Sequence, residues 1–380
     1  MIHIPDMPLY WRFKEAPGNI PGEPPARTSF SFDHDPKIDL VIERTSAELG
    51  ALLADIYERN SNVGFNQDGH SLLTGYGEDF WRFLGSLLET YPAQAVLEIG
   101  CGGCVLLERL RDQGREVVGV DPSPVAAAAG ERKGIRVISE FFPPRSLDTR
   151  QELIFEVDVL EHVEQPASFL RSQAQYLAPG GLVVVNVPDC GRSIERGDIS
   201  MALHQHVNMF DADSLASAFH AAGLEVVRLE KSRYGAGLYC AGRIANSGLV
   251  TGRPAGVTRW QRFERLAVQN IDRFRDSVEG ARRRGESIGF FMPQRAFPYL
   301  ATMGWFDGYR VFDNMNVWHG RYLDGLDVPI ENQADLVSRP VDHVFVMSLT
   351  FGNEVRDVLR RSAPAMKVTT LDEMLAREPA

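Results

Sequence analysis

Basic charge is in short supply in this sequence. Lysine and arginine number 40 against 51 aspartates and glutamates over 380 residues, for a formal net charge of −11. Nucleic-acid binding rests on clustered cations facing phosphates, so no nucleic-acid partner is expected. The densest basic runs, RRR at 282–284 and RR at 360–361, lie in helix-like segments and read as solvated helix faces. Long apolar runs are also missing, and nothing approaches the ~20 residues of a membrane-crossing helix. The opening residues MIHIPDMPLYWRFKEAPG lack a basic segment followed by an apolar one. No secretory leader and no membrane partner are therefore expected, and the cytoplasm is the expected location.

Cysteine is equally sparse. Four in the whole chain are too few for a disulfide scaffold. Two of them, Cys101 and Cys104, still form a C-x-x-C pair inside LEIGCGGC at 97–104. A structural zinc site needs about four ligands. No second pair stands at ligand spacing nearby, and His204 and His206 lie far along the chain, so no metal is expected. A redox pair needs a thiol of lowered pKa at a helix start, but two glycines between the sulfurs suit a ligand loop better.

What is present is an alternation of strand and helix patterns. Residues 1–36, rich in proline and glycine, read as an extended, irregular arm. Residues 39–57 carry helical spacing with a start that also suits a strand, 60–77 read as a loop, and EDFWRFLGSLLETYP as an amphipathic helix. From 95 to 230 short apolar runs (AVLEIG, REVVGVD, IRVIS, LIFEVDV, LVVVNVP, LEVVRLE) alternate with helical segments, several closed by glycine. Near-continuous Val/Ile/Leu strands between helices predict an α/β fold with a mostly parallel sheet covered on both faces. A linker at 246–262, a long charged helix at 262–285 and a second, smaller α/β unit follow. The expected division is therefore 1–92 (an arm and helices on the substrate side), 93–245 (the core), 246–285 (linker and helix) and 286–380 (a Rossmann-like C-terminal domain).

The strand ending at Glu98 leads into Gly100, Gly102 and Gly103, and a helix opens near Cys104. Glycines let the backbone turn sharply and approach a ligand closely, and the helix start offers unpaired N–H groups to an anion. The next strand ends in Asp121, where nucleotide-binding sheets place a carboxylate for ribose hydroxyls. Strand, glycine loop, helix, strand and terminal acid in this order carry far more weight than a glycine motif alone.

VLEIGCGGC, VVGVDPSP, VDVLEHVEQP and LAPGGLVVVNVP together resemble the successive motifs of class I S-adenosylmethionine-dependent methyltransferases. A nicotinamide dehydrogenase lacks the Glu before the glycines and has no counterpart of LEHV followed by APGG. The resemblance implies a seven-stranded Rossmann-like core and S-adenosyl-L-methionine as cofactor, with S-adenosyl-L-homocysteine as product. It puts Glu98, Gly100, Cys101 and Gly102 beside the methionine moiety and Asp121 and Pro122 at the ribose. Phe141 and Phe142 fall near the adenine, as a stacking pair or as core, and Asp158, Glu161 and His162 border the same crevice. Over nearly the whole length the chain resembles sugar C-methyltransferases of deoxysugar biosynthesis, through HQHVNMF (204–210), DNMNVWHGRYLDGLDVPI (313–330) and VDHVFVMSLTFGNEV. It departs from them in three ways. The zinc-binding cysteines of their N-terminal domain are missing from residues 1–60, Gln205 stands in place of their Glu, and MPQRA replaces a glycine-rich turn.

The implied activity is methyl transfer to a small-molecule substrate, a sugar and by expectation a nucleotide-linked one. An O- or N-methyltransferase of a glycan, peptide or natural-product intermediate is the alternative. Methyl transfer to O–H or C–H needs a base, and imidazole, with a pKa of about 6.5, suits the task. His206 is the first candidate and His204 the second, against a packing or capping role at a helix entry. Tyr76, in the expected loop, is a candidate lid or substrate contact. In the C-terminal domain Asp313 ends a strand as Asp121 does. His319 and Arg321 are candidates for a substrate phosphate or for packing, and Trp305 and Trp318 read as packing.

Overall fold

The apolar runs between 95 and 245 fold as one seven-stranded sheet in a computed structural model describing residues 1–9, 13–18, 27–59, 71–147, 149–233, 235–246, 257–323 and 326–375. The strands lie in the order Leu224–Lys231, Gly237–Ile244, Leu177–Pro188, Gln151–Val157, Ala95–Ile99, Glu116–Val120 and Arg136–Ile138. Gly237–Ile244 runs antiparallel to both of its neighbours, and the remaining pairs are parallel. Side chains alternate between two cores. Leu97, Ile99, Val118, Ile154, Val183 and Val185 fill one face, and Val96, Leu153, Phe155, Leu182 and Val184 the other. Burial on both faces explains why these strands read as continuous apolar runs.

Strand order reverses at Ala95–Ile99, because the chain steps outward to 116–120 and 136–138 and then returns to 151–157 on the other side. Open α/β sheets bind ligands at such a switch point, outside the carboxyl ends of the strands. Gly100, Asp121 and Asp158 each directly follow a strand there.

The chain divides into two compact units: His34–Gly191 with His206–Ala255, and Met1–Asp33 with Arg192–Gln205 and Gly256–Ala380. These cut across the four segments read from the sequence, since 34–92 group with the core while 1–33 and 192–205 group with the C-terminal part. The second unit carries an all-parallel sheet in the order Ile330–Glu331, Tyr309–Phe312, Ile288–Phe291, His343–Val346 and Lys367–Thr370.

Three local expectations are corrected. The N-terminal arm is not irregular: Ile2–Pro8 pairs antiparallel with Arg27–Asp35, setting Ile2 opposite Phe32 and Ile4 opposite Phe30. All four side chains are buried, and Pro5 is accommodated at a register shift between Ile4 and Met7. Within the expected loop at 60–77, residues 71–77 belong to the helix Ser71–Thr90, and 60–70 lie outside the described residues. The Asn, Gly and Ser content of 60–77 reads as a loop, yet Tyr76 within it is tied down by hydrogen bonds. Within the expected linker, 257–262 open the helix Val257–Arg283, and 247–256 lie outside the described residues. Phe263, Leu266, Ala267, Phe274, Val278 and Ala281 give that helix one buried face.

Glu156 sits inside the seven-stranded sheet, fully buried, and accepts a 3.0 Å hydrogen bond from Gln173 Nε2. Burial pushes its carboxyl up to about 8, with the Gln173 bond opposing. The folded chain therefore holds this proton up to about pH 8, whereas an unfolded glutamate releases it near 4.5. This group therefore costs no stability below pH 4.5 and lowers stability progressively as pH rises through that window. Glu156→Gln should remove this term, leaving the variant more stable than wild type by about 2–4 kcal/mol at pH 8 and nearly equal at pH 5. Urea unfolding at the two pH values measures the difference, and equal gaps would refute the assignment.

Candidate active site

The glycine loop closes on itself through the next strand. Gly100 N–H donates to Val120 O at 2.8 Å, and Gly102 N–H donates to Asp121 Oδ2 at 2.9 Å. Asp121 Oδ1 also accepts from Ser123 N–H at 2.8 Å. Gly100 and Gly102 both have positive φ. A Cβ on Gly100 would come within 2.5 Å of Val159, whereas one on Gly102 would meet only open space. Glu98, the penultimate residue of its strand, is buried, and its Oε2 has no hydrogen-bond partner among the described residues. Burial, then the nearby Cys104 and Asp121, push the Glu98 carboxyl well up. Burial likewise raises Asp121, against its two backbone bonds.

The C-x-x-C pair resolves as part of this loop. Both thiols are free and buried, with sulfurs 3.9 Å apart. The contact between them pushes the Cys101 thiol up and the Cys104 thiol down. Cys104 caps the helix Val105–Asp112 with φ 54°, ψ 31°, a left-handed conformation usual for glycine. It occupies a glycine position with a buried sulfur.

A second group lines the neighbouring strand ends. Tyr76 Oη donates to Asp158 Oδ1 at 2.7 Å and accepts from Asn186 Nδ2 at 2.6 Å. Its helix is anchored one turn later, where buried Asp79 accepts from Ser232 Oγ, Arg233 N–H and Tyr239 Oη at 2.8, 2.8 and 3.0 Å. Burial pushes Asp158 up to about 6, partly offset by the Tyr76 bond. Glu161 is buried in the one-turn helix Leu160–His162, and burial, then Asp158, drive its carboxyl well up. His162 shares a 3.1 Å hydrogen bond through Nδ1 with the Tyr57 hydroxyl, and its ring meets His206 edge-on at 4.9 Å.

The candidates from the sequence thus separate. Glu98, Gly100, Cys101, Gly102, Asp121, Asp158, Glu161, His162, His206 and Tyr76 all fall in the methyltransferase-like unit. Pro122 follows Asp121, half-buried. Tyr76 lies on a helix rather than a loop. His204 belongs to the other unit, where it is buried with its ring 5.3 Å from Phe30. Phe142 packs against Phe169 and Tyr176, while Phe141 is exposed. In the C-terminal unit Asp313 accepts from Met315 N–H, His319 pairs with Asp335, and Arg321 pairs with Glu15. Trp318 stacks on Phe13, and Trp305 packs under Arg27. Sequence reasoning passed over Asn186 and Tyr57. The lone Asn in LVVVNVP was a legible signal, since a polar residue in a fully apolar strand needs a partner. Tyr57 carried none.

A glycine turn closed onto a strand-terminal Asp121, at the switch point of a sheet with one reversed strand, is the arrangement that the resemblance to class I S-adenosylmethionine-dependent methyltransferases implies for the cofactor side. Residues 49–229 match the family model described as a methyltransferase domain. The chain is 23% identical over 287 residues to the C-methyltransferase NovU of Streptomyces niveus, covering 69% of this chain and 68% of that protein. It is 30% identical over 166 residues to a ubiquinone biosynthesis O-methyltransferase of Ruegeria pomeroyi, covering 39% of this chain and 66% of that one, a little under two thirds of its length. Among solved structures, the Burkholderia thailandensis 1,6-didemethyltoxoflavin-N1-methyltransferase aligns with a TM-score of 0.40 at 18% identity, covering 56% of this chain and 99% of that one. Together these matches support a class I S-adenosylmethionine-dependent methyltransferase, with the family model covering a little under half of the chain.

S-adenosylmethionine fits the residues present, since Glu98 offers a buried oxygen with no hydrogen-bond partner among the described residues and a Cβ on Gly102 would meet only open space. Asp121→Ala removes the acceptor that fixes Gly102 and Ser123. It should weaken S-adenosylhomocysteine binding at least tenfold by calorimetry, and unchanged affinity would remove Asp121 from the site. Cys104→Gly relieves the left-handed strain of about 1–2 kcal/mol and forfeits a similar amount of buried sulfur packing. Affinity and melting temperature should both stay close to wild type, whereas a redox or metal role for the thiol would make the variant inactive.

Proposed function

We propose that the protein methylates a sugar, nucleotide-linked, at a carbon beside a keto group, with His206 as general base. The observation that carries this reading is the half-buried His206 ring against His162, which lies in the one-turn helix following the strand Gln151–Val157. The carbon acceptor is supported by likeness to a C-methyltransferase over 69% of the chain, against 39% for the Ruegeria O-methyltransferase. The sugar is supported by the stretches at 204–210 and 313–330.

S-adenosylmethionine supplies a methyl group on a positively charged sulfur, ready for in-line displacement. The chain supplies position and a proton acceptor. His206 takes the proton from the carbon next to the carbonyl, leaving an enolate whose carbon is the nucleophile. Tyr76, fixed between Asp158 and Asn186, keeps its hydroxyl at one place on the crevice wall. Holding the two reactants in line does most of the remaining work.

His206→Ala should lower kcat by about 10²–10⁴ while S-adenosylhomocysteine affinity stays within a few fold. With a nucleotide-linked keto-sugar in D2O, wild type should exchange the proton beside the carbonyl and the variant should not. Methyl transfer to such a sugar without exchange would sink the enolate. The O-methyl reading is favoured by Gln205 where the sugar family has Glu, by the absence of that family's zinc cysteines from residues 1–60, and by MPQRA in place of its glycine-rich turn. There His206 would take a hydroxyl proton instead, and transfer to a hydroxyl with no carbon exchange would establish it.

A further inference from the structure

Methyl transfer leaves one feature of the crevice unused. Glu161 is 1% exposed, and among the described residues neither of its carboxylate oxygens has a hydrogen-bond partner. A buried carboxyl in that state is costly unless a charge or donor arrives. One ligand atom each from Glu161, His162 and His206 lie within 4.8 Å of one another, and His162 Nε2 is 3.8 Å from Glu161 Oε1. Nitrogen and oxygen ligands about 2.1 Å from a tetrahedral zinc ion stand roughly 3.4 Å apart. Ring movements of about an ångström would complete the set.

The chemistry of the set is specific. Tyr57 engages His162 at Nδ1 and directs Nε2 toward Glu161, the usual arrangement of a metal-binding imidazole held from behind by an oxygen. Two imidazoles and one carboxylate favour first-row transition ions such as zinc over magnesium, and three protein ligands leave a position open.

We propose that Glu161, His162 and His206 bind a zinc-class divalent cation, and that its binding inhibits methyl transfer by occupying the His206 lone pair. The binding rests on this geometry alone, whereas the inhibition rests on the reading of His206 as base.

Metal-free full-length protein titrated with Co²⁺ tests the binding through visible absorption. One ion per chain is expected, without the near-ultraviolet thiolate band that Cys101 and Cys104 would give. Affinity should fall at least tenfold in His162→Ala. It should fall about tenfold in Tyr57→Phe, which keeps every ligand and guards against misreading a folding defect. No visible spectrum, a thiolate band, or full affinity in both variants would overturn the site. One equivalent of Zn²⁺ should suppress turnover, and a chelator should restore it. A rate that requires the metal would keep the site, overturn its inhibitory role and remove His206 as the base.

Discussion

Burial of carboxyl groups at one edge of a parallel sheet is the constraint on which the site depends. Glu98, Asp121, Asp158 and Glu161 stand at or just beyond the carboxyl ends of three adjacent strands, all largely withdrawn from water. Desolvation raises each of them. Such an edge is costly to build and therefore preorganised for positive charge, because fixed groups in a dry crevice need no reorganisation when a cation enters. S-adenosylmethionine carries its charge on the reacting sulfur, so one acidic edge can both hold the cofactor and favour the charge that transfer consumes.

The backbone around that edge is arranged to the same end. Gly100, Gly102, Cys104 and Asp158 all have positive φ, so the chain turns sharply after two neighbouring strands. Only the first two are glycines. At Cys104 and Asp158 side chains accept an unfavourable conformation, held in place by buried packing at Cys104 and by the Tyr76 and Asn186 bonds at Asp158. Tyr76 in turn depends on its helix, which Asp79 fastens to the Ser232–Tyr239 region. Removing one member of this chain would loosen groups well outside hydrogen-bond reach of it.

The core was legible because its signals are local. Val-rich strands, glycine-closed helices and an acid ending the second strand each announce themselves within about ten residues, and together they predicted the sheet and the glycine turn that closes on Asp121. The acceptor half was legible only in part. His206 was selected by likeness to HQHVNMF, and nothing local separated it from His204; only tertiary structure assigns His204 to a different unit, against Phe30. The start of the helix containing Tyr76 was misread because Asn, Gly and Ser are local loop signals, whereas the bonds that hold Tyr76 come from residues 82 and 110 positions away. The N-terminal arm was misread for the same reason: proline content is local, whereas the pairing of Ile4 with Phe30 is not.

The acceptor side carries a tension that follows from its composition. A general base and a metal ligand use the same imidazole lone pair, so a histidine cannot serve both at once. Placing His206 against His162 gives the proposed base an aromatic neighbour. Placing the buried carboxyl of Glu161 beside them completes a ligand set as well. A site that relied on the base alone would do better with Glu161 replaced by an apolar residue, because that would remove a desolvation cost without touching His206. The carboxyl is therefore best understood as a group whose negative charge the crevice uses when a cation is present, whether the sulfonium of the cofactor or an inhibitory metal.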